Sequence, residues 1–303
     1  KERICLEECE KNKISIVTIL DKNYPPLLNE LPDSPMVLFF YGKLEEKIFK
    51  QKFCSVVGTR NNTIYGEKVA REIANILSKE QIIIVSGLAI GIDSLVHLQA
   101  LKKDALTVAV LGVPLEEKFL KRGIINQIIK KNGIIFSEYP PGEKIDAGMF
   151  IRRNRIIAGL SSLTIIIEAG KKSGALSTAQ FALDYNRDVL AVPGEFGKET
   201  SFGTNWLIKN SMAELLLTEN DILQSLGLST LESKGSLKEE KIKNSLNEKE
   251  KVIYKLLKEF NELNLEEMSV KSGYDIIALS NICSILELKG VIIKNIVGYY
   301  SLV

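Results

Sequence analysis

Six short runs of mostly valine, leucine and isoleucine constrain the fold of this chain more than any other feature. Apolar residues fill each run without alternating with polar ones, which is typical of strands covered on both faces. The segments between the runs are long enough for crossover helices. The sequence therefore predicts a doubly wound α/β sheet built from FCSVVG (53–58), IIIVSG (82–87), LTVAVLG (106–112), GIIFSE (133–138), LTIIIEA (163–169) and DVLAVPG (188–194).

Most of these runs end in glycine, serine or proline, so polar loops are expected to gather at the carboxyl edge of the sheet. Open α/β sheets bind their ligands at this edge. Before the first run, the segment SIVTILDKNYPPLLNELPDSPMVLFFYG indicates one or two further strands of the same sheet. We therefore predict one domain over residues 1–226, with an N-terminal extension at 1–50.

The last quarter of the chain has a different pattern. Residues 227–246 are polar and charged and are interpreted as a linker. Residues 247–303 contain three amphipathic helical stretches followed by a predicted hairpin, VIIKNIVGYYSLV. This order predicts a small C-terminal winged helix-turn-helix domain.

Charge is concentrated in one part of the sequence. The net charge of the 303 residues is only +2, so any binding of nucleic acid requires local positive charge. Between Lys144 and Lys172 there are six lysines and arginines against two acidic residues. This segment is therefore the candidate for binding a polyanion.

Three predicted loops have the residues needed to hold phosphate groups. SVVGTRNNTIYG and VSGLAIGIDSLVH each join a strand to a helix through glycine, and EAGKKSGALSTA adds lysines and hydroxyl groups at a helix start. Arg60 follows a strand-ending glycine and can form paired hydrogen bonds with a phosphate. Alternatively, Gly87 and Gly91 serve tight packing, and Ser173 and Thr178 only cap a helix. No loop matches the dinucleotide or nucleoside-triphosphate motifs.

The segment MFIRRNR places arginines next to an aromatic residue. Arg152, Arg153 and Arg155 would neutralise a phosphate backbone, and Phe150 could stack on a base. Cations together with a stacking ring are typical of a groove for single-stranded nucleic acid. The alternative is that the arginines form a solvated helix face.

Residues suited to catalysis or metal binding do not form a recognisable set. His97, the sole histidine, is interpreted as structural, and Asp93 as an acid favoured at a helix start. Glu138 and Glu168 each follow a strand, but the sequence does not bring them together. The four cysteines lack zinc-ligand spacing and indicate a reducing cytoplasm. We expect no catalytic residue, no metal, no cofactor and no membrane segment.

The motifs VVGTRNNTIYG, VSGLAIGID, RNRIIAGLS, EAGKKSGALSTA, AVPG and GTNWLI resemble, in this order, the DNA-processing protein A family (DprA, also called Smf). The resemblance extends over roughly residues 15–223. It implies an extended Rossmann-like fold, a homodimer and no known catalytic step. It also implies that the chain binds and protects incoming single-stranded DNA and helps to load the RecA recombinase during natural transformation.

The resemblance also implies which residues contact the DNA. The family positions are a G-[ST]-R loop, an FxxRNR helix and a serine-glycine loop, with weaker support for a GTN motif. Where this family usually has arginine, the chain has Ile90. Together with Arg152 and Lys172 from the charge pattern, the predicted binding residues are Gly58, Thr59, Arg60, Phe150, Arg152, Arg153, Asn154, Arg155, Lys172, Ser173, Gly174, Thr178 and Asn205.

Two other functions remain open at this stage. A nucleotide phosphoribohydrolase of related fold would keep Thr178, but it would need an acid near the position of Gln180. A transcription regulator would read duplex DNA through the C-terminal helices, yet DIIALSNICSILELK has one lysine and no arginine. We therefore expect the C-terminal module to contact protein instead.

Overall fold

The structure, a computed structural model, describes residues 2–120, 123–228, 246–295 and 298–302. The chain divides into two compact units, residues 1–229 and 230–303. Each unit is described separately. The predicted linker 227–246 lies almost entirely outside the described residues, and the predicted domain boundaries stay predictions.

The first unit is built on a large mixed sheet. Its strands, within the described residues, are β1 (Ser15–Thr18), β2 (Val37–Gly42), β3 (Phe53–Val57), β4 (Ile83–Ser86), β5 (Thr107–Leu111), β6 (Ile134–Ser137), β7 (Leu163–Ile166), β8 (Asp188–Ala191) and β9 (Glu214–Leu215). Their order across the sheet is β1-β2-β6-β5-β4-β3-β7-β8-β9. Strands β3 to β9 pair in parallel, whereas β1 and β2 pair antiparallel at one edge.

Both faces of the parallel strands are buried. In β3, Phe53 and Val57 belong to one apolar cluster, and the alternate residues Cys54 and Val56 belong to a cluster on the other face. Burying a side chain of this kind contributes about 1.5–3 kcal/mol. Burial on both faces explains why the sequence shows continuous apolar runs, and it confirms the predicted α/β class.

Helices cover the two faces and connect the strands. They are α1 (Glu2–Lys11), α2 (Pro26–Asn29), α3 (Ile64–Lys79), α4 (Ile92–Lys102), α5 (Glu117–Leu120), α6 (Gly123–Lys130), α7 (Gly148–Gly159), α8 (Gly174–Asp184), α9 (Phe202–Lys209) and α10 (Glu219–Ser225). Short 3₁₀ turns occupy Glu46–Lys50 and Glu199–Ser201. None of the described helices is long and apolar enough to cross a membrane.

The strand order changes direction between β3 and β7. From β3 the chain proceeds to one side through β4, β5 and β6, and then returns to the other side of β3 with β7. Loops leaving two such neighbouring strands diverge, and a crevice opens between them at the carboxyl edge. The switch point therefore lies between the loop after β3 and the loop after β7.

Within residues 246–295 and 298–302, the second unit shows three helices and a small antiparallel sheet. The elements are α11 (Glu248–Phe260), β10 (Glu262–Leu263), α12 (Leu265–Ser272), α13 (Ile276–Leu288), β11 (Ile292–Lys294) and β12 (Tyr300–Leu302), with sheet order β10-β12-β11. Asn247, Asn264 and Asp275 cap the three helices by accepting bonds from backbone amides. Three helices and a hairpin follow in the predicted order; the winged-helix class itself stays a prediction.

Candidate functional site

A cleft of about 770 Å³ opens at the switch point between β3 and β7. Its lining comes from the loops after β3, β4 and β7, from helix α7 and from the start of α8. Ten of the thirteen residues predicted from the sequence line it: Gly58, Thr59, Arg60, Phe150, Arg153, Asn154, Lys172, Ser173, Gly174 and Thr178. The structure therefore brings together residues from three separate motifs.

The loop after β3 carries Arg60, which is exposed on the cleft wall. Two contacts with Glu168, at the end of β7, fix this loop. The Thr59 amide donates to the Glu168 carbonyl at 2.8 Å. The buried Glu168 carboxylate accepts bonds from the Thr63 amide (2.9 Å) and hydroxyl (2.6 Å). Since Thr63 caps α3, the helix start and the Arg60 loop are held by the same carboxylate.

Sequence reasoning considered Glu168 only as half of a carboxylate pair. In the structure Glu138 instead forms an ion pair with Arg155, so the two carboxylates have different partners. The sequence offers one clue to this role of Glu168. Thr63 is a typical helix-capping residue, and the backbone amides at the start of a helix need hydrogen-bond acceptors from outside it.

The loop after β4 packs against the backbone of the Arg60 loop. Gly91 has φ +93°, and a Cβ atom there would lie 2.7 Å from the Arg60 carbonyl oxygen. The Ile92 amide donates to the Thr59 carbonyl at 3.3 Å. Only glycine permits both the backbone conformation and the close approach. The packing role that the sequence left open for Gly91 is therefore observed, and Ala89 and Asp93 line the cleft from this loop.

The floor of the cleft is a buried pair of charged residues. Arg153 and Asp93 are 5% and 6% exposed. Arg153 donates to the carbonyls of Gly87 (2.8 Å) and Val110, and the Asp93 carboxylate accepts from the Gly87 amide at 3.2 Å. Burial raises the pKa of Asp93, an effect partly offset by the Arg153 charge. Burial also lowers the pKa of Arg153 to about 10, opposed by Asp93.

The opposite wall is the loop after β7 with the start of α8. Lys171 and Lys172 are exposed there. Ser173 caps α8 by accepting from the Ala175 amide at 3.3 Å. Asn154 donates to the Gly174 carbonyl (3.2 Å) and to the hydroxyl of Ser177 (3.0 Å), which ties α7 to α8. The lysines therefore present charge, whereas Ser173 and Asn154 build the wall.

Phe150 provides an aromatic surface on the rim. Its side chain is 36% exposed, and α7 approaches the end of β5 so closely that a Cβ atom on Gly112 would lie 2.9 Å from the Phe150 ring. Gly112 thereby fixes the ring where it can stack on a planar ligand.

Three of the predicted residues do not line the cleft, and their role in binding stays a prediction. Arg152 is exposed and pairs with Asp146 at 2.9 Å. Arg155 is largely buried between Glu138 and Asp33. Asn205 accepts from the Gly194 amide and donates to the Gly194 carbonyl, both at 3.0 Å, so it clamps a loop. None of the three contributes to the cleft wall.

The single histidine and three of the four cysteines are buried. His97 is fully buried, with Nδ1 2.7 Å from the Thr107 hydroxyl. Burial lowers its pKa to about 3. Cys54 and Cys283 are buried, and all four cysteines are free. Across the described ranges, no three His, Cys, Asp or Glu residues are grouped as metal ligands would be.

Fold and site together define an α/β protein with an open cationic cleft, rimmed by an aromatic ring, at the switch point of a mostly parallel sheet. The chain belongs to the DNA recombination-mediator protein A family, whose sequence profile matches residues 15–227. This confirms the resemblance that the motifs indicated.

Individual relatives are similar over most of this chain. Protein Smf of Synechocystis sp. is 41% identical over 234 residues, covering 76% of this chain and 58% of the relative. The chain thus spans less than two thirds of that protein's length. The X-ray structure of DNA processing protein A from Streptococcus pneumoniae has 35% identity and a TM-score of 0.66, covering 75% of this chain and 78% of the other.

A further solved structure concerns the single-stranded DNA binding mode of DNA processing protein A from Helicobacter pylori. It has 28% identity and a TM-score of 0.61, and the match covers 71% of this chain and 95% of that one.

Proposed function

We propose that this chain binds single-stranded DNA in the cleft at the β3–β7 switch point and acts in DNA processing during natural transformation. The observation that carries the proposal is the convergence of Arg60, Lys171, Lys172 and Phe150, from two loops and helix α7, on one open cleft. Exposed cations neutralise phosphates, and an exposed ring stacks on bases of any sequence. The names of the S. pneumoniae and H. pylori relatives support the same role.

We extend the proposal to the partners that the family resemblance implies. The protein protects incoming single strands, helps to load the RecA recombinase and acts as a homodimer in the cytoplasm. Membership in a recombination-mediator family supports this extension.

We also propose that the cleft works by binding and not by catalysis. Its buried carboxylate, Asp93, accepts a hydrogen bond from the Gly87 amide and lies within the electrostatic influence of Arg153. Gln180, at the position where a phosphoribohydrolase would need an acid, is exposed and donates to Asp184 on its own helix. An amide cannot serve as the general base that such a hydrolase requires.

The C-terminal unit is proposed to be a winged helix-turn-helix module that contacts protein. Along α13, the exposed side chains include Ile277, Ile285 and Leu288, and the helix contains neither lysine nor arginine. A face without cations is a poor match for phosphates or guanine edges, which argues against a reader of duplex DNA.

A titration with single-stranded and double-stranded DNA of equal length, at two salt concentrations, tests the proposal. We expect preference for the single strand, tolerance of sequence and a steep loss of affinity with salt. Arg60→Ala should weaken binding about ten- to hundredfold, because a charge-assisted hydrogen bond contributes about 1.5–3 kcal/mol. It should also reduce the salt slope by about one.

Arg152→Ala is the matched control, since it removes the same charge outside the cleft. Equal weakening by both variants would show that binding is diffuse and not centred on the cleft. Preference for the duplex would favour the regulator, and release of a free base from a nucleotide would favour the hydrolase.

A further inference from the structure

The start of α3 is a place where an open α/β sheet can receive a phosphate group. This helix follows β3 at the switch point, and the first amides of a helix carry partial positive charge that attracts anions. In this chain an anion of the protein itself occupies the place. The carboxylate belongs to Glu168, which lies just beyond β7 and is only 3% exposed.

The first turn of α3 is built around this carboxylate. Its oxygens accept from the amide and the hydroxyl of Thr63, and that hydroxyl accepts in turn from the Gly66 amide at 3.1 Å. A Cβ atom on Gly66 would overlap a carboxylate oxygen of Glu168, so glycine lets the anion lie against the helix. The helix start therefore balances the charge of Glu168.

Three backbone amides of the loop before α3 are bonded within the protein. The Thr59 amide donates to the Glu168 carbonyl, the Thr63 amide to the Glu168 carboxylate, and the Asn61 amide to the Thr59 hydroxyl at 3.2 Å. A compact phosphate cluster is held by several free amides that point at it. This loop instead offers a ligand the side chain of Arg60.

There is room for a small anion beside the helix start. A pocket of about 350 Å³ is lined by Thr63, Tyr65, Glu168 and the loop after β8. It is distinct from the cleft, whose lining does not include Glu168. Lys198 also lines this pocket but pairs with Glu195 at 3.0 Å. A diphosphate that entered would meet the like charge of Glu168, so repulsion and not lack of space keeps it out.

Ligands differ in how their phosphates are arranged. A nucleoside diphosphate or triphosphate concentrates its charges at one point, which suits a helix start with free amides. A single strand distributes its charges along a backbone, which suits exposed cations. The cleft provides Arg60, Lys171 and Lys172 for the second kind of ligand.

We propose that Glu168 determines the class of ligand at the switch point: its carboxylate occupies the start of α3, excludes nucleoside diphosphates and triphosphates, and leaves phosphates to be bound by exposed cations. For the single strand this inference rests on the proposed function. The exclusion of nucleotides is independent of it. Glu168 does not contact the ligand and acts through the helix start that it fills.

Glu168→Gln tests the proposal with ADP as the probe. The glutamine oxygen can still accept from the Thr63 amide, and the glutamine amino group can donate to the Thr63 hydroxyl, so the variant loses the charge but keeps the cap. Equilibrium dialysis of the full chain with labelled ADP measures the affinity. ADP should bind the variant at least about tenfold more tightly than it binds the parent chain, because a repulsive charge is gone and polar donors become accessible.

Two further variants separate the charge at the helix start from other causes. Glu67→Gln removes an equal charge from the same turn of α3, where Glu67 pairs with Arg71 at 2.7 Å, and should leave ADP binding at the level of the parent chain. Glu168→Asp keeps the charge and should exclude ADP as the parent chain does. Fluorescence anisotropy with a labelled oligothymidylate should show that Glu168→Gln binds the single strand no more weakly than the parent chain.

Each contrary result has a different meaning. Tight binding of ADP by the parent chain would overturn the proposal without any variant, as would the lack of a gain in Glu168→Gln. An equal gain in Glu67→Gln would assign the effect to net charge, and an equal gain in Glu168→Asp would assign it to packing; either overturns the proposal.

Weaker binding of the single strand by Glu168→Gln, without a gain for ADP, would show that Glu168 only holds the Arg60 loop in place. Loss of the Arg60→Ala effect on the single strand would overturn the proposed function. The dialysis measurements involve no DNA and would still decide the role of Glu168.

Discussion

Arg60 and Arg153 border the same cleft, yet their guanidinium groups are in opposite environments. Arg60 is exposed and forms no ion pair with any described residue, as is also true of Lys172. Arg153 is buried, bonded to two carbonyls and close to Asp93. Charged residues that look equivalent in the sequence thus divide into a set that faces the ligand and a set that builds the floor beneath it.

The largest expected effect concerns the floor. Arg153→Met should lower the free energy of unfolding by about 3–5 kcal/mol, because it removes two hydrogen bonds to the carbonyls of Gly87 and Val110 and the positive charge near the buried Asp93. Urea unfolding followed by circular dichroism measures the change.

Two controls sharpen this result. Arg152→Met removes an exposed arginine of the same helix and should leave the midpoint close to that of the parent chain. Adding Asp93→Asn to Arg153→Met should recover part of the loss. A midpoint unchanged in Arg153→Met alone would show that the buried pair is not a structural unit.

A smaller effect is expected from His97, buried near Arg153. Its pKa is lowered from 6.5 to about 3, mainly by burial. The unfolded chain takes up a proton below about pH 6.5 and the folded chain does not, so stability is lost as the pH falls. At pH 5 this amounts to about 2 kcal/mol.

Urea unfolding at pH 7.5 and pH 5 measures this difference, and His97→Gln should reduce it. If the variant showed the same loss of stability between the two values, another group would be responsible.

The smallest effect is expected from the C-terminal unit, where α13 presents apolar side chains and no cation. A chain ending at Leu228 should bind single-stranded DNA with unchanged affinity and an unchanged salt slope. Mobility-shift titration at two salt concentrations measures both. A strong loss of affinity would place DNA contacts in the C-terminal unit and contradict its assignment to protein contacts.

Much of the first unit could be predicted because its strands are buried on both faces. Continuous apolar runs such as FCSVVG are typical of strands buried on both faces, and the small or turn-forming residues that end most of the runs mark the ligand edge. The Arg60 loop could be predicted for the same reason, since a short turn at a strand-ending glycine determines where the next arginine lies.

Helix geometry determines where the other arginine side chains lie. Met149, Arg153, Ile156 and Ile157 share one face of α7 and all are buried. Arg152 and Arg155 point elsewhere, because a helix turns about 100° per residue. That periodicity was available in the sequence and predicts that three arginines within four positions cannot all reach one cleft. The partners of Arg155, Glu138 and Asp33, are distant in sequence and could not be deduced.

The contact between Gly91 and the Arg60 loop has a consequence for redesigning this site. A charged side chain could be introduced next to this loop at an exposed position such as Ile90, which is 81% exposed. Position 91 offers no such latitude, because a side chain there would collide with the backbone carbonyls of Thr59 and Arg60. The position of the Arg60 backbone therefore depends on the absence of a Cβ atom at Gly91.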